Sequence, residues 1–291
     1  MRIAIYSRQF GKELAPHFSS MFTMLSMKSV EVLIWDKTLK ELNELGIDLP
    51  LHTSFSSGAD LKDVSLLISI GGDGTLLDTV EMTAERGTPV LGINTGRLGF
   101  LSNTQVEDAE NAVSAFLKGA HNIEERSLLR LTSPNDLFSH APIALNEIAI
   151  HKHDTSSMIT IHAYLDGDFL NSYWADGLII STPTGSTAYS LSCGGPIIDP
   201  RSKSFVITPI APHNLNVRPF VVRDNGEITL KVDGREGSYL LSMDSRSVDL
   251  DQNIELKIRR NDSGMNLVSF EGQDFLNTLR QKLSWGLDQR N

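Results

Sequence analysis

The chain has 291 residues and a formal net charge of −10. That length exceeds one typical domain and suits two, each able to bury a core. The acidity, with no long Lys/Arg cluster, argues against nucleic acid and against an anionic membrane surface as partners. One cysteine, Cys193, leaves no internal disulfide and fits a reducing cytoplasm. No apolar run reaches the roughly 18 residues of a membrane span, and residues 1–10 lack the apolar core of a signal peptide.

Residues 3–6 read as a buried strand, followed by a helix on which Leu14, Phe18, Met21, Phe22 and Leu25 recur at helical spacing. Residues 30–35 make a second strand, and a short helix with Leu39, Leu42 and Leu45 on one face closes at Gly46. A looser stretch leads to the apolar run 64–70, which stops at Gly71-Gly72-Asp73-Gly74-Thr75. Glycines at a strand's carboxyl end let the backbone approach a phosphate, so Gly71, Gly72, Gly74 and Thr75 are candidates for a phosphate loop. The lysine of G-x-x-x-x-G-K-[ST] is absent, and the carboxylate of Asp73 in its place points to a base. Helix capping by the same Asp-Gly is the competing explanation. A helix over 76–86 ends at Gly87-Thr88-Pro89, and strand 90–93 runs into the turn Gly96-Arg97-Leu98-Gly99-Phe100. This βαβα rhythm predicts a parallel, doubly wound sheet.

Thr104 with Glu107 predicts a capping box before a helix carrying Val106, Ala109, Val113, Phe116 and Leu117. Past Gly119 the rhythm changes to strand after strand, which predicts a β-rich second domain, with Asp166-Gly167 as a two-residue hairpin turn. The last helix, over 273–285, carries Phe275, Leu276, Leu279 and Leu283 on one face. Asn146-Glu147 lies inside the apolar strand 143–150, where a polar pair must be satisfied by the protein, a ligand or solvent on one face. His151 and His153 form H-x-H, but without a third ligand at suitable spacing they read as surface histidines. The stretch 176–196, DGLIISTPTGSTAYSLSCGGP, delivers a strand into a hydroxyl-rich loop and a short helix from about Ser186 or Thr187. Free amides and hydroxyls there make an anion site that needs no lysine, and Asp176 could bond a ribose hydroxyl.

GGDGT alone is shared by the NAD kinases, the diacylglycerol and sphingosine kinases and, more loosely, the 6-phosphofructokinases. The ordered set is more specific: GGDGT at 71–75, G-x-L-G-F at 96–100, Asn146-Glu147, the long motif from Asp176, and Ile258-Arg259-Arg260 near the end. In that order it closely resembles the bacterial NAD kinases over nearly the whole chain. The resemblance implies an α/β N-terminal Rossmann-like domain over 1–103, with 271–291 packing back on it, and a β-rich, β-sandwich-like C-terminal domain over 104–270. It implies transfer of the ATP γ-phosphoryl group to the 2′-hydroxyl of the NAD adenosine ribose, giving NADP, with Asp73 as general base and Mg²⁺ or another divalent cation on the donor phosphates.

By the same resemblance, Asp73, Gly74, Phe100, Asn146, Glu147 and Asp176 meet the dinucleotide. The segment Thr187, Ala188, Tyr189, Ser190, Leu191 and Ser192 forms a wall beside its bases, with Ala211 a weaker match. Two positions depart from the family. Trp174-Ala175 stands where many relatives have a basic residue before Asp-Gly, and Asp244-Ser245-Arg246 stands where some have Asp-Gly-Gln, so Trp174 and Arg246 are candidate contacts of altered chemistry. A homodimer or homotetramer is implied as well. A lipid kinase bearing GGDGT, and a dinucleotide-binding regulator without turnover, are the alternatives.

Overall fold

The apolar runs of the first half become strands of one sheet whose central members are buried along their whole length, as expected when helices cover both faces. In a computed structural model of the chain, which describes residues 1–138, 141–153, 158–234 and 237–284, these are β1 (Arg2–Ser7), β2 (Glu31–Trp35), β4 (Leu66–Ile70) and β5 (Val90–Asn94), while the edge strand β3 (His52–Phe55) is the polar run His-Thr-Ser-Phe, which no apolar pattern announces. Helix α1 (Ala15–Met27) starts with a proline in its first turn, where the missing N–H is harmless, and buries Phe18, Met21, Phe22 and Leu25. Helix α2 (Asp36–Glu44) buries Leu42, and the chain turns at Gly46 with φ +66°.

The helix expected over 76–86 is broken. It becomes α3 (Asp73–Leu77), α4 (Val80–Thr83) and a 3-10 turn at Ala84–Arg86. Buried hydroxyls explain the break: Thr79 Oγ1 donates to the Leu76 carbonyl and Thr83 Oγ1 to the Thr79 carbonyl, both at 2.7 Å, in competition with the helical ladder. The Thr104–Glu107 capping box does not form. Thr104 lies in the short strand β6 (Thr104–Gln105) beside Ile93, its hydroxyl accepts from Gln273 Nε2 at 3.3 Å, and a 3-10 turn leads into α5 (Ala109–Leu117). Val113 and Phe116 of α5 share a core with Phe18 and Leu25. Strand β7 (Asn122–Arg126), polar and unforeseen in the sequence, follows.

The second half is antiparallel. Its strands are β8 (Leu129–Ser133), β9 (Ile143–Ala144), β10 (Glu147–His151), β11 (Ile159–Leu165), β12 (Asp168–Ala175), β13 (Gly177–Ser181), β14 (Ser204–Ile210), β15 (Phe220–Arg223), β16 (Ile228–Asp233), β17 (Ser238–Met243), β18 (Arg246–Asp251) and β19 (Leu256–Arg260), with the short α6 (Tyr189–Ser192) after β13. One sheet runs β15-β14-β13-β10-β17-β18 and the other β12-β11-β16-β19-β8-β9. Ile148, Ile180, Ile207 and Leu241 of the first pack with Leu131, Ile161, Leu230 and Ile258 of the second in a single core, which makes a β-sandwich. Asp166 and Gly167 both have positive φ in the hairpin joining β11 and β12, the geometry their sequence predicts. The single strand expected over 143–150 is two strands in different sheets, interrupted at Leu145-Asn146.

The chain then returns to its first sheet. Strand β20 (Met265–Ser269) pairs parallel with β5, giving the order β3-β2-β1-β4-β5-β20-β7 with β6 also beside β5. Helix α7 (Phe275–Leu283) is capped by Asp274, whose side chain accepts from the Asn277 amide at 2.7 Å. Of the four apolar residues expected on one face of this helix, Leu279 is buried while Leu276 and Leu283 are exposed; Trp285 lies outside the described residues. The chain divides into two compact units, Met1–Glu125 with Met265–Asn291, and Arg126–Gly264. The first break thus falls after α5 and β7, later than residue 103, because α5 belongs to the first core. The return falls at β20, earlier than residue 271.

Candidate active site

In the first unit, β4 ends at Ile70 and the chain leaves the sheet through Gly71, whose φ is +148°. Gly71 donates its amide to the Ile93 carbonyl at 2.9 Å, and a Cβ there would strike the Thr75 hydroxyl, so only glycine fits. Asp73 opens α3 without capping it. Its carboxylate instead collects three consecutive amides from the last residue of G-x-L-G-F and the two that follow it: Oδ2 accepts from Phe100 at 2.8 Å, and Oδ1 from Leu101 at 3.1 Å and Ser102 at 2.9 Å. A Cβ on Gly99 would overlap Oδ1, so this glycine makes the embrace sterically feasible. Asn94 braces the turn, donating from Nδ2 to the carbonyls of Arg97 and Ser102 and accepting from the Gly96 amide. Oδ2, with one amide, keeps an acceptor position that Oδ1, with two, lacks. Asp73, Gly74 and Phe100 are thus brought together, and Phe100 packs against Phe275 of α7 at 6.3 Å between ring centroids.

The second unit repeats the device. Asp244, in the left-handed region at φ +50°, accepts the amides of Leu145 at 2.8 Å, Asn146 at 2.8 Å and Glu147 at 3.1 Å. These are the residues where the chain crosses from one sheet of the sandwich to the other, so Asp244 fixes the orientation of Asn146 and Glu147. Opposite it, Thr182 accepts the Gly185 amide, donates its hydroxyl to the Leu145 carbonyl at 2.5 Å, and gives its amide to the Asn146 carbonyl at 2.9 Å. Gly185 abuts the Asn146 carbonyl so closely that no Cβ could enter. The apolar pattern of 143–150 hid this crossing, and neither Asp244 nor Thr182 carried a sequence signal of its role.

Glu147 is buried. Burial first, and the nearby Asp244 second, push its carboxyl up to about 8, against the help of a hydrogen bond from the Tyr189 amide. Oε2 has no hydrogen-bond partner in the protein. Burial also pushes Asp244 up to about 6, while its three amide donors pull the other way. Those donors favour the charged form of Asp244, so Glu147 holds the proton at neutral pH. Thr184 Oγ1, in the same hydroxyl-rich loop, is a second buried atom without a partner.

Asp176 links β12 to β13, and Lys152 Nζ pairs with its Oδ1 at 2.6 Å. A basic residue therefore stands beside Asp-Gly although the sequence there reads Trp174-Ala175; the cation comes from a distant strand end. Trp174 is exposed at 48 %, its ring 4.6 Å from that of His213. His151 is half-buried rather than on the surface, as expected from the sequence, because its ring stacks beneath Tyr189 at 5.8 Å and Nε2 meets Ser242 Oγ at 3.0 Å. His153 is exposed and pairs with Asp249. The helix foreseen near Ser186 is a 3-10 turn over Thr184–Thr187 followed by the single turn of α6. Thr187 and Ala188 are partly exposed, Tyr189 and Ser192 exposed, and Leu191 partly exposed. Ser190 is buried with its hydroxyl 2.8 Å from that of Thr208. Ala211 is exposed with φ +44°. Arg246 turns inward: its guanidinium donates to the carbonyls of Ala141 and Ile143 and lies over the Phe138 ring at 5.3 Å, so it braces the approach to Asn146.

Among the described residues no group of three or more His, Cys, Asp or Glu could hold a metal ion, and no helix is long and apolar enough to cross a membrane. Residues 6–121 match the ATP-NAD kinase N-terminal domain and residues 145–270 the ATP-NAD kinase C-terminal domain. NAD kinases of Flavobacterium johnsoniae and Cytophaga hutchinsonii are 46 % and 45 % identical to this chain, each over the full length of both. Among solved structures, yeast NADH kinase complexed with NADH superposes with a TM-score of 0.87 at 26 % identity, covering 99 % of this chain and 89 % of that one. An NAD kinase from Archaeoglobus fulgidus in complex with ATP superposes at 0.74 with 25 % identity, covering 98 % of both. The lipid-kinase alternative finds no support in these matches. Two domain models, full-length relatives above 40 % identity and a fold shared throughout place the chain in the NAD kinase family, the kinases that transfer phosphate to NAD.

Proposed function

We propose that the protein transfers the γ-phosphoryl group of ATP to the 2′-hydroxyl of the NAD adenosine ribose, with Asp73 as the general base. The bond from the ribose O2′ to the γ-phosphorus forms as the bond from that phosphorus to the β–γ bridging oxygen breaks. ADP leaves, and the hydroxyl proton passes to Asp73 Oδ2. The observation that carries this reading is the Asp73 carboxylate itself, pinned by three amides yet with an acceptor position left on Oδ2, next to a glycine turn. Phosphoryl transfer asks the protein mainly for positioning and charge compensation, and an immobilised carboxylate supplies the first.

Asn146, Glu147 and Asp176 hydrogen-bond the dinucleotide's ribose hydroxyls and amide edges, with Oε2 of Glu147 the buried atom that a ligand would satisfy. Thr187, Ala188, Tyr189 and Ser192 line its bases. Ser190 and Arg246, whose polar atoms are spent inside the protein, act through the backbone they hold. Mg²⁺ or another divalent cation enters with the donor, on its phosphates, where it offsets their charge. The enzyme works in the cytoplasm as a homo-oligomer.

The test is NADP formation from NAD, ATP and Mg²⁺, read by a dehydrogenase specific for the 2′-phosphate. NADP that accumulates with ADP in equal amounts supports the reaction; NAD bound without turnover would move the protein to the regulator class.

A further inference from the structure

A donor triphosphate placed against Asp73 meets a carboxylate in a protein of net charge −10. The GGDGT turn has no basic residue of its own, so the positive charge for those phosphates must come from elsewhere. Two side chains from opposite ends of the sequence reach the turn. Lys282, in the last turn of α7, places Nζ 4.0 Å from Asp73 Oδ2 and 4.7 Å above the Phe100 ring. Arg8, just past β1, gives Nε and Nη2 to Asp78 at 2.5 Å each, and Asp78 is steadied by a further bond from the Tyr6 hydroxyl at 2.9 Å. That leaves Nη1 facing the turn: a Cβ at Gly74 would lie 3.4 Å from it.

We propose that Lys282 and Arg8 clasp the donor's terminal phosphates at the GGDGT turn, supplying the cations that the turn lacks. Lys282 is not needed to satisfy Asp73, whose carboxylate already holds three amides, and 4.0 Å is too long for a hydrogen bond. Its Nζ donates no hydrogen bond among the described residues, so its donors can turn to an incoming phosphate. The α7 backbone is held where this requires it, by buried Thr278 and Leu279, by Phe275 against Phe100, and by Gln273 on Thr104. The two cations differ in kind. Arg8 is fixed by its fork on Asp78, whereas Lys282 is a single charge on a flexible stem, free to follow the phosphate as it transfers.

The inference rests on reading the chain as an ATP-dependent NAD kinase, and the experiment separates the two. Binding of inorganic tripolyphosphate to the full chain is measured by calorimetry for wild type, Lys282→Gln, Lys282→Arg and Arg8→Gln, alongside steady-state kinetics with ATP and NAD varied in turn. Lys282→Gln should weaken tripolyphosphate binding and raise KM for ATP by about tenfold each, with KM for NAD unchanged, and Lys282→Arg should restore most of both. A merely structural role would not produce that split or that rescue. Tripolyphosphate affinity and KM for ATP unaltered in both Gln variants, or affinity improved in Lys282→Gln, would overturn the proposal while NADP formation by wild type kept the kinase reading intact. Lysine-dependent tripolyphosphate binding in a wild type that makes no NADP would support the clasp and retire the kinase reading.

Discussion

The space that a Cβ on Gly99 would occupy is filled by Oδ1 of Asp73. The glycine therefore sets where the carboxylate can sit, and the three amides that follow it, from Phe100 to Ser102, hold it there. Gly99→Ala should displace Asp73 without removing its charge. The expected outcome is a stability loss of about 1–3 kcal/mol from overpacking and a fall in kcat well beyond what that loss explains, measured on variant that remains folded at the assay temperature. Activity within a factor of two of wild type would show that the contact is dispensable.

Asp244 performs the same service for Asn146 and Glu147. In Asp244→Asn one acceptor oxygen becomes an NH₂ group that faces amide donors. Removal of charge-assisted bonds to partly buried amides costs about 2–3 kcal/mol, which urea unfolding would register as a lower midpoint. NAD binding, followed by calorimetry, should weaken as the Asn146-Glu147 segment loosens. Unchanged NAD affinity in the folded variant would separate Asp244 from the binding segment.

Glu147 makes stability depend on pH. Its carboxyl, pushed up to about 8 from an ordinary 4.5, keeps a proton in the folded chain where the unfolded chain has lost it. The folded state binds more protons between those values, so stability falls as pH rises through that window, by at most about 1.4 kcal/mol per pH unit. Asp244, pushed up to about 6, contributes with the same sign at the lower end. Glu147→Gln, which mimics the protonated form, should flatten the curve between pH 6 and 8 and be the more stable protein at pH 9. Urea titrations across that range check it, and a wild-type stability that rises with pH would contradict it.

Strands β1, β2, β4 and β5 of the first unit were legible because they are continuous apolar runs with glycine turns just past β4 and β5, whereas the polar edge strand β3 has no such pattern. Apolar content could not show that the run from Ile143 to Ile150 changes sheets at Leu145-Asn146. That crossing is decided by Asp244, about a hundred residues away, and by the close approach of Gly185. The helix after GGDGT broke at Thr79 and Thr83 because buried hydroxyls bonded the backbone, a tertiary effect that helical spacing does not encode. The polar strand β7 has no alternation to betray it and is recognisable only by its place beside β20. At the site, the motif residues were readable as types, whereas Lys152 beside Asp176, and Arg8 and Lys282 beside the GGDGT turn, are joined only by the fold.

The most direct measurement is kcat for Asp73→Asn beside wild type, with NAD affinity and urea midpoint determined on the same samples. Because Asp73 also holds the turn, binding and stability must be read together with turnover. The expected result is a fall in kcat of about 10²–10⁴, NAD affinity within about threefold, and a variant still folded under assay conditions. Turnover within tenfold of wild type, in a variant that binds NAD normally, would contradict Asp73 as the base.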